Sequence, residues 1–441
     1  MKNQSMTDDP ALALSRYIQF DTTNPPGNEL SAAKWLADQL AGRGITSDIQ
    51  IHEPVPGRGL VVAGIAGHEP LKPLMINHHI DVVAADPAKW TYPPFAGHIA
   101  DGYVWGRGAL DTKGLGVMFL FALESLLKEG VRFRRPILFT AVPDEEPGGD
   151  HGMRWLVERH LNDIDPEWVW DEGTGAYRGV FGDALLFAVA VAEKQIYRVR
   201  LTATGAPGHG SMPHKDSASE TLLAALGRIV SDPRPLKAGR AAKQMFSAIA
   251  PAQPFPASWL LKHLANPLVL ALAGSKLSSD KFTNALLRDT VSVNIVRAGY
   301  QINVIPERAC AELDCRLLPE TDAGEFENWL LSRINDKRIQ LEKIQSSPPS
   351  GIAPTDSAFY RAIEETVHAL SFGAGVLPLL MAGATDGRYW RERGYPAYGF
   401  TPMILDKSDM GRVHGIDERI SIDNLHFGIA MTREILRRLC A

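Results

Sequence analysis

The chain has 441 residues, 45% of them hydrophobic and 22% charged, with a formal net charge of -5. The length exceeds one ordinary domain and points to two or three. The balance is that of a soluble globular protein, and its mild acidity excludes the basic footprint of a nucleic-acid binder. Cys310, Cys315 and Cys440 have neither metal-type spacing nor a disulfide pattern, so a cytoplasmic location is expected. The opening MKNQSMTDDP lacks the apolar core of a signal peptide. The most apolar stretch, 259–273, is broken by Lys262, His263, Asn266 and Pro267, and no membrane partner is expected.

In chain order, Asp9-Pro10 reads as a helix cap with proline at the first helical position, opening a helix over ALALSRYIQF. Residues 30–40 read as a second, amphipathic helix. Apolar runs at 60–63, 74–79, 136–142 and 168–170 have strand length, and a helix is predicted over 115–128. These strands are apolar throughout, which suits a sheet covered on both faces, and helices lie between them. The expectation is therefore an α/β catalytic domain with a mixed sheet and helices on both faces. From about Gln195 the pattern changes to period two, at 196–203, 291–296 and 309–317, with helices at 217–230 and 325–334. That reads as a smaller α+β domain inserted into the first. The expected division is 1–194, 195–347 and 348–441, with Pro348-Pro349-Ser350-Gly351 as the return hinge and a helix over 358–370.

Candidate chemistry gathers at the ends of the apolar strands. His79-Ile80-Asp81 puts an imidazole and a carboxylate on one strand face, so Asp81 is placed to accept from the ring nitrogen that a metal leaves free. Asp111 sits in GRGALDTKG just before a helix, where capping and metal binding both suit an aspartate. Asp144-Glu145-Glu146 follows a buried strand, and Glu172 follows the next. Open α/β sheets place their sites at such strand ends. His414 lies near the C-terminus. Imidazole and carboxylate are ligands that divalent zinc takes, and Glu145 is left over beside them as a general base. Alone, each motif also fits a plain reading: a surface histidine, a helix cap or a solvated acidic turn. GAPGHGS, with His209, fits a glycine turn as well as a donor to a substrate oxygen. Arg388 in ATDGR fits a surface charge as well as a fork for a carboxylate.

Taken together and in order, HHIDVV, GRGALDTKG, VPDEEPGG, WDEG, GAPGHGS, GATDGR and VHGIDER resemble the zinc metallopeptidase family of aminoacylase, acetylornithine deacetylase, succinyl-diaminopimelate desuccinylase, glutamate carboxypeptidase and carnosinase. The likeness spans residues 20–420, and ATDGRYWRERGYPAYGFTPM and DEEPGGDHGM bring it nearest the aminoacylase and carboxypeptidase S branch. The resemblance implies two divalent ions, zinc first and cobalt or manganese as substitutes, bridged by Asp111. His79 and Glu172 would complete one ion, Glu146 and His414 the other. It further implies Glu145 as base, Asp81 orienting His79, and His209 reaching the site across a homodimer formed by the inserted domain. Arg388 would hold a substrate carboxylate, and Asn303 in QINVIPERA resembles the family's lid asparagine near the substrate. The activity implied is hydrolysis of an N-acyl amino acid. A carboxypeptidase or dipeptidase, and a metal-binding protein without catalysis, stay open as alternatives. The segment 231–287 is long and rich in Leu, Ala and Pro, which limits any transfer of substrate from family members with shorter lids. Its Phe255, Trp259, Leu260, Leu261 and Leu264 read either as inward-packing core or as apolar surface above an acyl pocket.

Overall fold

The computed structural model describes residues 8–180 and 183–441. Three of the predicted helices open on a capping side chain. Asp9 accepts from the Ala11 amide at the head of Pro10–Ile18, and Ser217 and Asp322 cap Ala218–Ser231 and Ala323–Ile334.

One sheet has ten strands. Asp48–Val55, Arg58–Ile65, Ile137–Val142, Leu74–His79, Trp168–Asp171, Ala397–Gly399, Leu186–Glu193, Ala176–Arg178 and Ile404–Asp406 follow one another across it, and Gly375–Met381 pairs with Leu186–Glu193. At its centre, Leu74–His79 runs parallel to both Ile137–Val142 and Trp168–Asp171. Alternate residues of these strands point to opposite faces, which explains why the runs are apolar throughout. Leu74, Ile76, Phe139, Ala141 and Trp170 enter the main core with the helices Pro10–Ile18, Lys113–Lys128 and Ile422–Cys440. Met75, Val142 and Val169 enter a second cluster, with Met153, Leu156 and Trp390. The fold is thus the expected mixed α/β sheet with helices on both faces.

A second sheet, of four strands, takes all of them from Gln195–Thr204, Thr290–Ala298, Arg308–Leu317 and Ile339–Ser346. Its two central strands, Gln195–Thr204 and Arg308–Leu317, alternate buried and partly buried residues, and Ala218–Ser231 and Ala323–Ile334 cover one face through Leu222, Leu226, Phe326 and Leu330. The segment between 231 and 287 folds as the helices Arg240–Ile249, Ala257–Lys262, Pro267–Ser279 and Lys281–Leu286, with a 3-10 turn at Ala250–Ala252. It packs on the ten-stranded sheet: Met245, Phe246, Ile249 and Leu264 meet Ala188, Ala192, Leu377 and Leu379. Leu264 is therefore core, while Phe255 and Trp259 are exposed.

Candidate active site

The three parallel strands end side by side, and their carboxyl ends deliver His79, the Asp144-Glu145-Glu146 turn and Glu172 to one place. His79 Nε2 lies 2.9 Å from Asp111 Oδ1 and 3.6 Å from Glu172 Oε1. On the other side, His414 Nε2 lies 3.0 Å from Asp111 Oδ2 and 3.2 Å from Glu146 Oε2. Asp111 thus turns one oxygen to each imidazole. Candidate ligand atoms of His79, Glu145 and Glu172 lie within 4.8 Å of one another, and so do those of His79, Asp111 and Glu146.

The backbone around these side chains is held by buried charge. The loop before Asp111 wraps Glu418, whose Oε1 accepts from the amides of Leu110 at 2.7 Å and Asp111 at 3.1 Å. Its Oε2 accepts from Arg107 at 2.7 Å and from the Gly108 amide at 3.2 Å. The cap of the helix that follows is Thr112, so the Asp111 carboxylate is free of capping and faces the imidazoles. Asp144 takes a left-handed φ of 73° and turns its carboxylate away from Glu145 and Glu146, to Arg58 at 2.7 Å and Asn24 at 3.2 Å. Arg58 also holds buried Glu29 at 2.7 Å. Gly149 closes the turn with φ 75°, and a Cβ there would lie 2.8 Å from Asp386 Oδ1.

Asp81 works differently from the sequence expectation. The nearest acceptor to His79 Nδ1 is the Asp81 backbone carbonyl at 2.8 Å, with the carboxylate at 3.6 Å. That carboxylate accepts instead from the amides of Glu145 at 3.0 Å and Glu146 at 3.2 Å, and from Asn24 at 2.9 Å. Asp81 therefore fixes the ring of His79 through its main chain and the acidic turn through its side chain.

Crowding shows in the proton affinities. Burial opposes ionisation of Asp111, but hydrogen bonds to His414 and His79 prevail and hold its carboxyl well below the usual range. The bonds to Asp111 and Glu146 push the His414 imidazole up to about 10. Burial, then the charge of Asp111, pushes Glu172 up to about 8. Burial and the Glu172 charge raise Glu145 well above an ordinary glutamate. Without cations these acids are held neutral by retained protons; bound divalent ions would supply that neutralisation in place of the protons. A set of two imidazoles and several carboxylates, with no thiol, fits borderline-to-hard divalent ions.

His209 and Asn303 are not part of this cluster. His209 lies on, and Asn303 just before, the strands of a two-stranded ribbon, Gly208–His209 against Val304–Ile305, where Gly210 N donates to the Asn303 carbonyl at 2.8 Å. Both are exposed, and His209 Nδ1 faces Ser211 Oγ at 2.7 Å. Arg388, by contrast, is buried in Gly387–Arg391 and donates through Nη2 to the Gly148 carbonyl at 2.6 Å, which ties it to the turn carrying Glu145. It lines a cavity of about 400 Å³ with Arg154, Tyr389 and Arg393.

Sequence reading gave no role to Glu418, Arg107, Arg58, Asn24 or Asp386. The last is buried, and neither carboxylate oxygen has a hydrogen-bond partner among the described residues.

Residues 75–438 match the model of Peptidase family M20/M25/M40. The N-fatty-acyl-amino acid synthase/hydrolase PM20D1 of Xenopus tropicalis is 32% identical over 381 residues, covering 85% of this chain and 74% of that protein. Aminoacylase-1 of Sus scrofa is 28% identical over 444 residues, covering 98% and 96%. The crystal structure of the M20 family metallo-carboxypeptidase Sso-CP2 from Sulfolobus solfataricus superposes with a TM-score of 0.73 over 98% of this chain and 99% of that one, at 19% identity, and so shares the fold. With four-fifths of its length inside the family model and the strand-end cluster in place, the chain belongs to peptidase family M20/M25/M40 and is a metallohydrolase of that family.

Proposed function

We propose that this protein hydrolyses the amide bond of N-acyl amino acids with a free carboxylate, using two divalent ions per chain, zinc in the first instance. One observation carries the reading: the single Asp111 carboxylate gives one oxygen to His79 and the other to His414, while Glu145 is left beside them. In this reading His79 and Glu172 would hold one ion, Glu146 and His414 the other, with Asp111 shared between them. The bound ions supply a water with its pKa lowered towards ~7 and a Lewis acid for the carbonyl oxygen. Glu145 takes the proton from the attacking water and passes it to the leaving amine. Asp81 keeps Glu145 and Glu146 in register through their amides. Arg388 pairs with the substrate carboxylate.

His209 and Asn303 act from outside the strand-end cluster. We assign residues 195–347 as a unit inserted between 1–194 and 348–441; the support is that the four-stranded sheet draws its strands from within that span and the ten-stranded sheet from outside it. A homodimer through this unit would bring His209 to the partner's carbonyl. Its support is the free edge of Thr290–Ala298 together with exposed Val296, Tyr300 and Ile302 beside the ribbon. The cytoplasm is the proposed compartment, supported by three free cysteines.

The similarity to PM20D1, an N-fatty-acyl-amino acid synthase/hydrolase, favours a long acyl chain over acetyl. The test is a series of N-acyl substrates of increasing chain length on one amino acid, each with its carboxyl-amide counterpart, beside a panel of dipeptides, with zinc, cobalt and manganese. The reading requires hydrolysis of the acids to exceed that of the amides and to rise with acyl length, by up to about 0.8 kcal/mol of binding per buried methylene. Turnover confined to dipeptides would replace it with the dipeptidase alternative.

A further inference from the structure

The helical segment that lies on the ten-stranded sheet differs in charge from the rest of the molecule. Residues 233–288 carry eight basic side chains and one acid, Asp280, in a chain whose net charge is -5. The acids at its borders are already paired, Asp232 with Arg333 and Asp289 with Arg234. Lys237, Lys243, Lys262, Lys276 and Lys281 are exposed, and none has a carboxylate within ion-pair distance among the described residues.

The same segment exposes large apolar side chains. Leu272 is 88% exposed, Phe255 82% and Leu268 74%, with Trp259 and Phe282 near half. The first two turns of the helix Pro267–Ser279, PLVLALAG, are apolar all round: Val269 is buried while Leu268 and Leu272 face outward. Such a helix ordinarily sits inside a protein or against lipid. Leu268, Leu272 and Lys276 follow at i, i+4 and i+8, so one outward stripe passes from leucine to lysine. Lys262 closes the preceding short helix beside Trp259, and Lys281 and Phe282 open the following one.

We propose that this face, centred on Pro267–Ser279, rests on an anionic lipid bilayer. The leucines and aromatics enter the boundary between headgroups and acyl chains, and the lysines meet the lipid phosphates. No helix of the described residues is long and apolar enough to cross a membrane. The sequence expectation of no membrane partner rested on the lack of a spanning run, and a face lying on the lipid surface needs none. A second copy of the chain is the poorer occupant. A two-fold interface sets a patch against itself, and here that would oppose lysine to lysine.

The test is co-sedimentation of the full chain with vesicles of phosphatidylcholine alone and of phosphatidylcholine mixed with phosphatidylglycerol. The mixed vesicles should carry the protein down, with binding falling steeply as salt is raised. A Leu268→Asp, Leu272→Asp variant and a Lys262→Glu, Lys276→Glu, Lys281→Glu variant should each lose binding by about tenfold or more. Thermal melting checks that both remain folded. Because every mutated side chain is outward-facing, at least one variant must keep the wild-type transition for the comparison to stand, and single substitutions at Leu272 and Lys276 replace a variant that does not. Failure of the wild type to bind the mixed vesicles overturns the proposal, as does a folded variant that binds like wild type. Sedimentation velocity is run alongside. Loss of a wild-type oligomer in the leucine variant, with no vesicle binding by wild type, would give the face to a second copy.

Discussion

The strand-end cluster and the ribbon bearing His209 are opposite kinds of place. At the strand ends most charged groups have partners from the same chain. Asp111 sits between two imidazoles, Asp144 and Glu29 share Arg58, and Glu418 ties down the loop of Asp111. On the ribbon, His209 and Asn303 face solvent, and the bonds nearest them stay within the ribbon. The first place is determined by one chain alone. The second lies apart from that cluster, so the role proposed for His209 would need domain closure or a second subunit.

The largest effect that separates the two regions is loss of the base. Glu145→Gln should lower the chemical step by about 10²–10⁴-fold and leave cation binding intact. Steady-state kinetics with metal analysis on the same sample checks this; near wild-type turnover would remove Glu145 from its role. Next comes the buried scaffold. Arg58→Met strands Glu29 and Asp144 without their cation and should cost roughly 3–5 kcal/mol of stability, read from denaturant unfolding. A variant as stable as wild type would show that the strand-end site is not braced as described.

The ribbon predicts a different pattern. His209→Ala should cost about 10²–10³ in turnover with no loss of stability, because its side chain is exposed. Mixing His209→Ala chains with Glu145→Gln chains should restore part of the activity, since one hybrid site then carries both intact residues. No recovery in demonstrated heterodimers would leave closure within one chain as the remaining route.

The smallest effect lies at the junction between the two sheets. Lys194 Nζ donates to the carbonyls of Ala285 at 2.8 Å and Arg288 at 2.9 Å and to Thr290 Oγ1 at 3.1 Å. Lys194→Met should cost about 1–3 kcal/mol. Burial lowers the Lys194 ammonium from 10.5 to about 7. Between those values the unfolded chain binds more protons than the folded one, so wild-type stability relative to the variant should rise as pH increases across that window. A difference that is flat with pH would show that Lys194 keeps its proton when folded.

Much of this was legible in the sequence, for a definite reason. A strand buried on both faces is an unbroken apolar run, and the polar residue that ends it stands out, as His79, Glu145 and Glu172 do. The supports were not legible. Arg58 and Asp144 are 86 positions apart and Arg107 and Glu418 are 311, and an arginine or glutamate without periodicity carries no mark of its partner. The edge strand Asp48–Val55 was missed because its exposed, polar-rich DIQIHEPV lacks the apolar run of its neighbours. The orienting role expected of the Asp81 carboxylate fell to its carbonyl because the strand ends at His79, and the turn that follows aims the side chain at the next loop.

The central claim is that one carboxylate, Asp111, serves two cations. The most direct test is metal content after saturation with zinc and removal of free ion, for wild type and for Asp111→Ala. The account predicts two ions per wild-type chain, at most one in the variant, and loss of activity on chelation. One ion or fewer in saturated wild type, or two retained by Asp111→Ala, would contradict it.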